Sequence, residues 1–323
     1  MKCSIIIRAY NEERHIAKLL VGIGQQAIKP HEIILVDSGS TDSTRAIAQN
    51  FGAKIVEIPK ADFTFGRALN VGCRAATGEI LVFVSAHVYP TRRDWLASLC
   101  RPFSNENISL SYGRQIGNHL NHFSEHQIFA KWFPAQSEIP QVGYFCNNAN
   151  AAIRRKAWSN RPYDENLTGL EDLAWAKQAQ ADGEEIAYVS QAEIVHVHEE
   201  SWRSVRNRYR REAIAMTRIE PNAHFSLGDF MSLFVRNVWG DARSATKQRR
   251  LHKEMAGILR FRFNQFLGTY QGYRDKGGLS RALRERFYYP AALNVDDTAG
   301  EHDIDHIDYS RLMRAPVNVS ARK

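Results

Sequence analysis

The chain lacks any apolar run near the roughly 20 residues that a membrane-spanning helix requires, so no transmembrane segment is expected along its 323 residues. No separate cationic region, apolar core and cleavage site precede the first strand pattern, and the expectation is a chain without a signal peptide. Cysteine is scarce. Cys3, Cys73, Cys100 and Cys146 form no Cys-x-x-Cys pair, and they read as reduced structural thiols of a cytosolic protein. No internal repeat and no nucleic-acid-binding motif is present, and nucleic acid is not expected as a partner. A Gly-rich phosphate loop with a lysine is missing after the first strand, where Arg8-Ala9-Tyr10-Asn11 stands instead. That argues against a nucleotidyltransferase.

What is present is an ordinary globular composition, 44% hydrophobic and 24% charged, with an uneven charge. Residues 201–290 hold 16 Arg and 3 Lys against 7 Asp/Glu, while the formal charge of the whole chain is +8. The remainder is therefore slightly acidic. A basic C-terminal part suits anionic headgroups or a phosphate-bearing substrate, and equally a solvated basic face.

Strand and helix patterns alternate through the first half. The runs 3–9, 32–36, 54–58 and 79–84 read as strands, the first a continuous apolar run expected to be buried on both faces. Helices are expected over 12–26, 40–51 and 67–76, which makes a doubly wound, mostly parallel α/β sheet. The middle is less regular, with strands expected at 108–113, 145–154, 186–189 and 193–197 and helices at 123–133 and 170–181. From Trp202 the pattern turns to helix after helix, over about 202–219, 227–240, 247–273 and 279–287. The expected domains are thus 1–200, a basic helical extension 201–290, and a mobile tail 291–323 with little core.

The chemistry-bearing residues gather at the carboxyl ends of the early strands, where open α/β sheets bind ligands. Asn11-Glu12 follows the first strand, and Asp37-Ser38-Gly39-Ser40-Thr41-Asp42 follows the second. Far downstream, Glu171-Asp172 opens a helix after Thr168-Gly169. Each alone has a plainer explanation, since acidic and hydroxyl residues favour helix N-termini.

Together with Arg67-Ala68-Leu69-Asn70-Val71-Gly72 and Thr77-Gly78-Glu79-Ile80, these segments resemble the family-2 glycosyltransferases, which have the nucleotide-diphospho-sugar transferase fold called GT-A. The resemblance spans residues 3–200. Arg8 and Ser38 stand where many members have Pro and Asp, as in a rhamnosyltransferase-like branch. The resemblance implies donor contacts from Ala9, Tyr10, Glu12, Asp37, Arg67, Asn70, Ser85 and His87. It implies that Asp172 is the general base of an inverting transfer, with Glu171 orienting the acceptor or the loop. Its usual Asp-x-Asp motif is replaced by Ser85-Ala86-His87. His87 with His196 or His198 is therefore expected to hold a divalent metal, Mn or Mg, at the donor phosphates. Otherwise the histidines meet phosphate directly, or the donor is a CMP-linked sugar. A catalytically inactive sugar- or lipid-binding homologue is the remaining alternative.

Asn148 and Asn150 are expected to donate to acceptor hydroxyls, because clustered Asn is costly in a buried strand unless bonded. Trp132 stacks a sugar ring or joins the core. The expected partners are a nucleotide-sugar donor and a saccharide or lipid-linked acceptor of a surface polysaccharide. Peripheral membrane contact through the basic helices and a homodimer complete the expectation, at the cytoplasmic face of the membrane. Glu301-His302-Asp303-Ile304-Asp305-His306 reads as tail.

Overall fold

A computed structural model describes residues 1–275 and 307–309. The expected helix 279–287, the tail from 291 and the acidic-histidine segment 301–306 lie outside the described residues.

The strand β1 (Cys3–Ala9) is flanked in parallel by β2 (Glu32–Asp37) and β4 (Ile80–Ser85), with β3 (Lys54–Glu57) outside β2. The remaining strands are β5 (Val88–Pro90), β6 (Ile108–Ile116), β7 (Asn150–Arg154) and β8 (Glu185–His196). Their order is β3-β2-β1-β4-β7-β6-β8-β5, a mixed sheet in which β7 runs antiparallel to both neighbours. Both faces of β1 are covered. Ile6 belongs to one hydrophobic cluster and Ile5 and Ile7 to the other, which is why the run reads as continuous rather than alternating.

The helices α1 (Ile16–Gly24), α2 (Thr44–Asn50) and α3 (Phe65–Ala75) are the crossovers between the parallel strands. Packing of α3 onto β1 is close. A methyl at Gly72 would stand 2.4 Å from Ile6 Cγ2, so only glycine fits there. The second half adds α4 (Trp95–Cys100), α5 (Phe123–Trp132), α6 (Arg155–Asn160) and α7 (Glu171–Ala181). The helices α8 (Trp202–Ile219), α9 (Leu227–Lys247) and α10 (Leu251–Tyr273) pack together, and Arg262 of α10 donates to the Ser124 carbonyl of α5. None of the helices among the described residues is long and apolar enough to cross a membrane.

Two expected strands, 186–189 and 193–197, are one strand. The polar Ser190 is satisfied by Ser137, and a register shift opposite Gly113/Gln115 carries β8 onward to His196. The expected strand 145–154 forms only from Asn150. Asn147 instead closes a turn, its Oδ1 accepting from Ala149 N. The four cysteines are unbridged, and burial pushes the Cys73 and Cys146 thiols well up.

Candidate active site

The carboxyl ends of β1, β2 and β4 open into a cavity of about 1660 Å³ that reaches α7, the end of β8, and α8–α10. One small-molecule pocket typically takes about 300–1,000 Å³. The space suits two substrates meeting.

Two strained backbone positions flank it. Asn11 (φ 53°) turns the chain out of β1, and Leu170 (φ 55°) turns it into α7. A left-handed Leu is costly, and such strain gathers where a site needs a particular direction of approach. Here it delivers Glu171 and Asp172 into the cavity as the first turn of α7.

Asp172 is buried, with one oxygen accepting from Asn148 N at 2.9 Å and the other from its neighbour Leu173 N. Burial first, then the adjacent Glu171 charge, push its pKa up to about 7, against the two backbone N–H groups and Arg8. Arg8 Nη1 donates to Glu171 Oε1 at 3.1 Å, and its guanidinium lies 5.0 Å from the Phe65 ring centre. Arg8 also pairs in register with Ser85, so the same cation stands next to the Ser85-Ala86-His87 segment.

His87, His196 and His198 converge, with one ligand atom from each lying within 4.8 Å of the others. The tautomers follow from the hydrogen-bond network. His87 Nδ1 meets Glu12 Oε1 at 2.8 Å, and His198 Nδ1 meets Glu125 Oε1 at 2.7 Å. Burial opposes ionisation of Glu125, but His198 and Arg208 outweigh it and hold its pKa well below the usual carboxylate range. His196 Nδ1 meets Gln115 Oε1 at 2.8 Å. Gln115 presents oxygen there because its amide nitrogen donates to Asn147 Oδ1, itself an acceptor for Ala149 N. Each Nδ1 therefore carries the proton. The Nε2 atoms of His196 and His198 then face each other at 3.0 Å as lone pairs, an arrangement that calls for a cation or a proton between them. Burial, then His198, His87 and Arg208, push the His196 pKa well down and keep the ring neutral. For His87, burial is outweighed by Glu12, and the pKa rises. Imidazoles whose other nitrogen is held by a carboxylate or amide are the usual scaffold of a metal site.

The remaining expected residues divide. Ala9, Tyr10, Glu12, Ser85, His87 and Asn148 line the cavity. Glu12 is spent on His87, and Tyr10 accepts from Lys60 Nζ at 3.0 Å. Trp132 lines it too, 46% exposed and stacked on Phe145. Asn148 Oδ1 accepts from Tyr163 OH, and its amide nitrogen is buried with no hydrogen-bond partner.

Four expected residues stand elsewhere. Arg67 is exposed and outside the cavity lining. Asn70 is consumed by packing, accepting from Trp158 Nε1 and Tyr163 N and donating to Tyr163 O and Glu165. Asn150 wedges the sheet in the same way, between Trp95 Nε1 and the carbonyls of Arg114 and Ala192. Asp37 lies under its own turn, Oδ2 accepting from Gly39 N and Ser40 N while Oδ1 is buried without a partner. Asn70→Ala is accordingly expected to lower unfolding free energy by about 1–3 kcal/mol for each group it orphans. Nucleotide affinity should be unchanged, which urea melts and equilibrium titration check together.

Gln115, Glu125 and Arg208 were invisible as site residues in the sequence, because their partners are 73 to 83 positions away. Arg8 was visible only as a departure from a common proline.

Residues 4–160 match the family model described as Glycosyl transferase family 2. O-antigen chain rhamnosyltransferase RfbN of Salmonella typhimurium is 26% identical over 65% of this chain and 70% of its own length. O-antigen chain rhamnosyltransferase WbaN of Salmonella anatum is 26% identical over 57% of this chain, a match that spans 62% of WbaN. Among solved structures, the mannosyltransferase PcManGT of Pyrobaculum calidifontis, in complex with GDP-Man and Mn²⁺, has a similar fold. Its TM-score is 0.61 at 17% identity, over 85% of this chain and 88% of the other. S. aureus TarS gives a TM-score of 0.51 at 16% identity, over 82% and 90%. Residues 4–160 thus form a glycosyl transferase family 2 domain, and the chain is a nucleotide-sugar glycosyltransferase.

Proposed function

We propose that the chain moves a sugar, with inversion, from a nucleoside-diphosphate donor to a hydroxyl of a saccharide acceptor in surface-polysaccharide synthesis. The observation that carries this is Asp172, a buried carboxyl with its pKa pushed up to about 7, sharing one cavity with the histidine cluster. A general base works best when its pKa lies near the operating pH. Asp172 takes the acceptor hydroxyl proton as that oxygen bonds to the anomeric carbon, and the bond to the donor phosphate breaks on the opposite side. Asn148 holds one Asp172 oxygen through its backbone N–H, and its unpartnered amide nitrogen offers a donor to a sugar hydroxyl. Asp37 lies just beneath the cavity lining at Ser38, and its unpartnered Oδ1 is the acceptor it would offer to the base or ribose.

His87, His196 and His198 would hold a divalent metal, which supplies positive charge for the departing phosphate. Three imidazoles suit Mn²⁺ better than Mg²⁺, which prefers oxygen ligands. The O-antigen rhamnosyltransferases among the relatives favour a rhamnosyl donor, and the basic helices suit an acceptor carried on an anionic lipid. Residues 1–200 form the catalytic unit in this reading, and 201–290 its basic extension.

The test is a thermal-shift screen of UDP, GDP, dTDP, CDP and CMP, with and without Mn²⁺, followed by transfer from the matching nucleotide sugar. A bound ligand raises the melting temperature by mass action. One diphosphate acting only with metal, and a product of opposite anomeric configuration by NMR, support the reading. No shift and no nucleotide release with any donor would sink it.

A further inference from the structure

We infer that the outer face of α9, continued onto α10, is a docking surface for an anionic lipid bilayer. This deepens the reading of a lipid-linked acceptor and rests on it for its purpose, although the contact itself needs no chemistry. The helix α9 has three working sides. Phe230, Asp241 and Ala245 are buried against its neighbours. Leu233, Asn237 and Gly240 line the cavity. Leu227, Met231, Val235 and Trp239, at steps of four residues, form an outward stripe and are 58%, 51%, 59% and 73% exposed. The stripe continues on α10 through Phe263, which is 45% exposed and packs edge-on against Phe230 and Phe234. A contiguous exposed apolar surface of this kind marks an interaction site.

The charge around it selects the occupant. Arg243 and Lys247, four residues apart, are exposed along one flank of the stripe, in line with the exposed Arg236 at the edge of the cavity lining. The carboxylates of α9 are already engaged. Asp229 is tied into the capping box with Ser226, and Asp241 accepts from two nitrogens of Arg262. The flank is therefore cationic with no free counter-charge from its own helix. A second copy of the chain, meeting face to face, would bring two such rows together. Anionic headgroups neutralise the row while acyl chains take the stripe, as on an interfacial amphipathic helix. The opposite side of the same helix walls the cavity. Docking therefore holds the site against the interface from which a lipid-borne saccharide would enter.

The test uses the full chain and vesicles of phosphatidylcholine, with or without about 30% phosphatidylglycerol to give the surface a negative potential. Binding is expected to the anionic vesicles alone and to weaken in high salt. Met231→Ser/Val235→Ser/Trp239→Ser is expected to lower vesicle partition about tenfold or more, from the apolar area lost. Arg243→Glu/Lys247→Glu should remove the preference for anionic lipid. Melting temperature and transfer to a water-soluble acceptor should stay unchanged in both. Equal vesicle binding by the triple variant, or none by the wild type, overturns the inference. So does a dimer in light scattering that the triple variant dissolves, which would assign the face to a second copy. Vesicle binding without any sugar transfer would overturn the enzymatic reading and leave the docking surface standing.

Discussion

Replacing Asp172 with Asn is expected to lower the transfer rate by about 10²–10⁴-fold, the usual worth of a general base, while leaving nucleotide binding intact. The side chain keeps its shape, and its backbone partner Asn148 N still finds an oxygen. What is lost is the ability to take a proton. In the wild type, the rate should rise with pH through about 7 as Asp172 gives up its own proton. Two neighbours set where that limb falls. Glu171→Gln removes an adjacent negative charge and should move the limb to lower pH, whereas Arg8→Ala leaves Glu171 unneutralised and should move it higher. A purely structural role for Arg8 would change the amplitude and leave the midpoint in place. A rate profile of the three variants from pH 5 to 9 checks all of this.

The same residue makes a prediction about stability, and its sign is the reverse of the familiar one. An unfolded Asp ionises near pH 4, but in the folded chain Asp172 holds its proton until about 7. The folded state therefore binds this proton more tightly than the unfolded state does. Asp172 costs nothing below the unfolded pKa, its cost grows as pH rises between the two values, and it is complete above about 7. Asp172→Asn should therefore raise the melting temperature at pH 8 and have little effect at pH 4. An inactive enzyme that is more stable at pH 8 than its parent would show that the charge is kept for chemistry. Equal melting curves at both values would mean that Asp172 is ordinarily solvated and is no base of raised pKa.

How much of this was legible in the sequence depends on the range of the interaction. Ile5, Ile6 and Ile7 announced a strand covered on both faces because burial on both sides removes the need for alternation. Glu171-Asp172 marked a helix start, and that is where they sit. Period two puts His196 and His198 on one face of an extended segment, and their ring nitrogens do meet. Local pattern failed where a distant group settled a polar residue's needs. Asn70 and Asn150 suggested ligand contacts, yet indole N–H groups and backbone carbonyls claim them. The helix expected over 227–240 runs on to Lys247 because Asp241 is gripped by Arg262 and Ala245 is buried. Glu125 carried no local mark at all. Only the fold brings it to His198 and Arg208.

The histidine cluster yields the second large effect. His196→Ala is expected to abolish the metal-dependent part of nucleoside-diphosphate binding, removing one of three ligands and relieving the 3.0 Å contact with His198 at once. Glu125→Gln tests the orientation instead of the ligand. It leaves all three imidazoles in place but weakens the acceptor that fixes His198 as the Nδ1–H tautomer, and metal affinity should fall about 10–100-fold. Calorimetric titration of Mn²⁺ into each variant, with and without nucleotide, separates the two. The competing arrangement is a proton shared between His196 and His198, with the imidazolium meeting phosphate directly. It gives opposite results. Nucleotide would then bind without metal, and binding would weaken as pH rises and the shared proton leaves. The surroundings argue against the proton. His196 is buried beside His87 and Arg208, and its pKa is pushed well down. A metal gains from that depression, because it binds only the neutral ring. The anionic Glu12 and Glu125, one behind each of two rings, add the negative charge that a divalent ion needs nearby and that a site with Ser85-Ala86-His87 after β4 must find elsewhere.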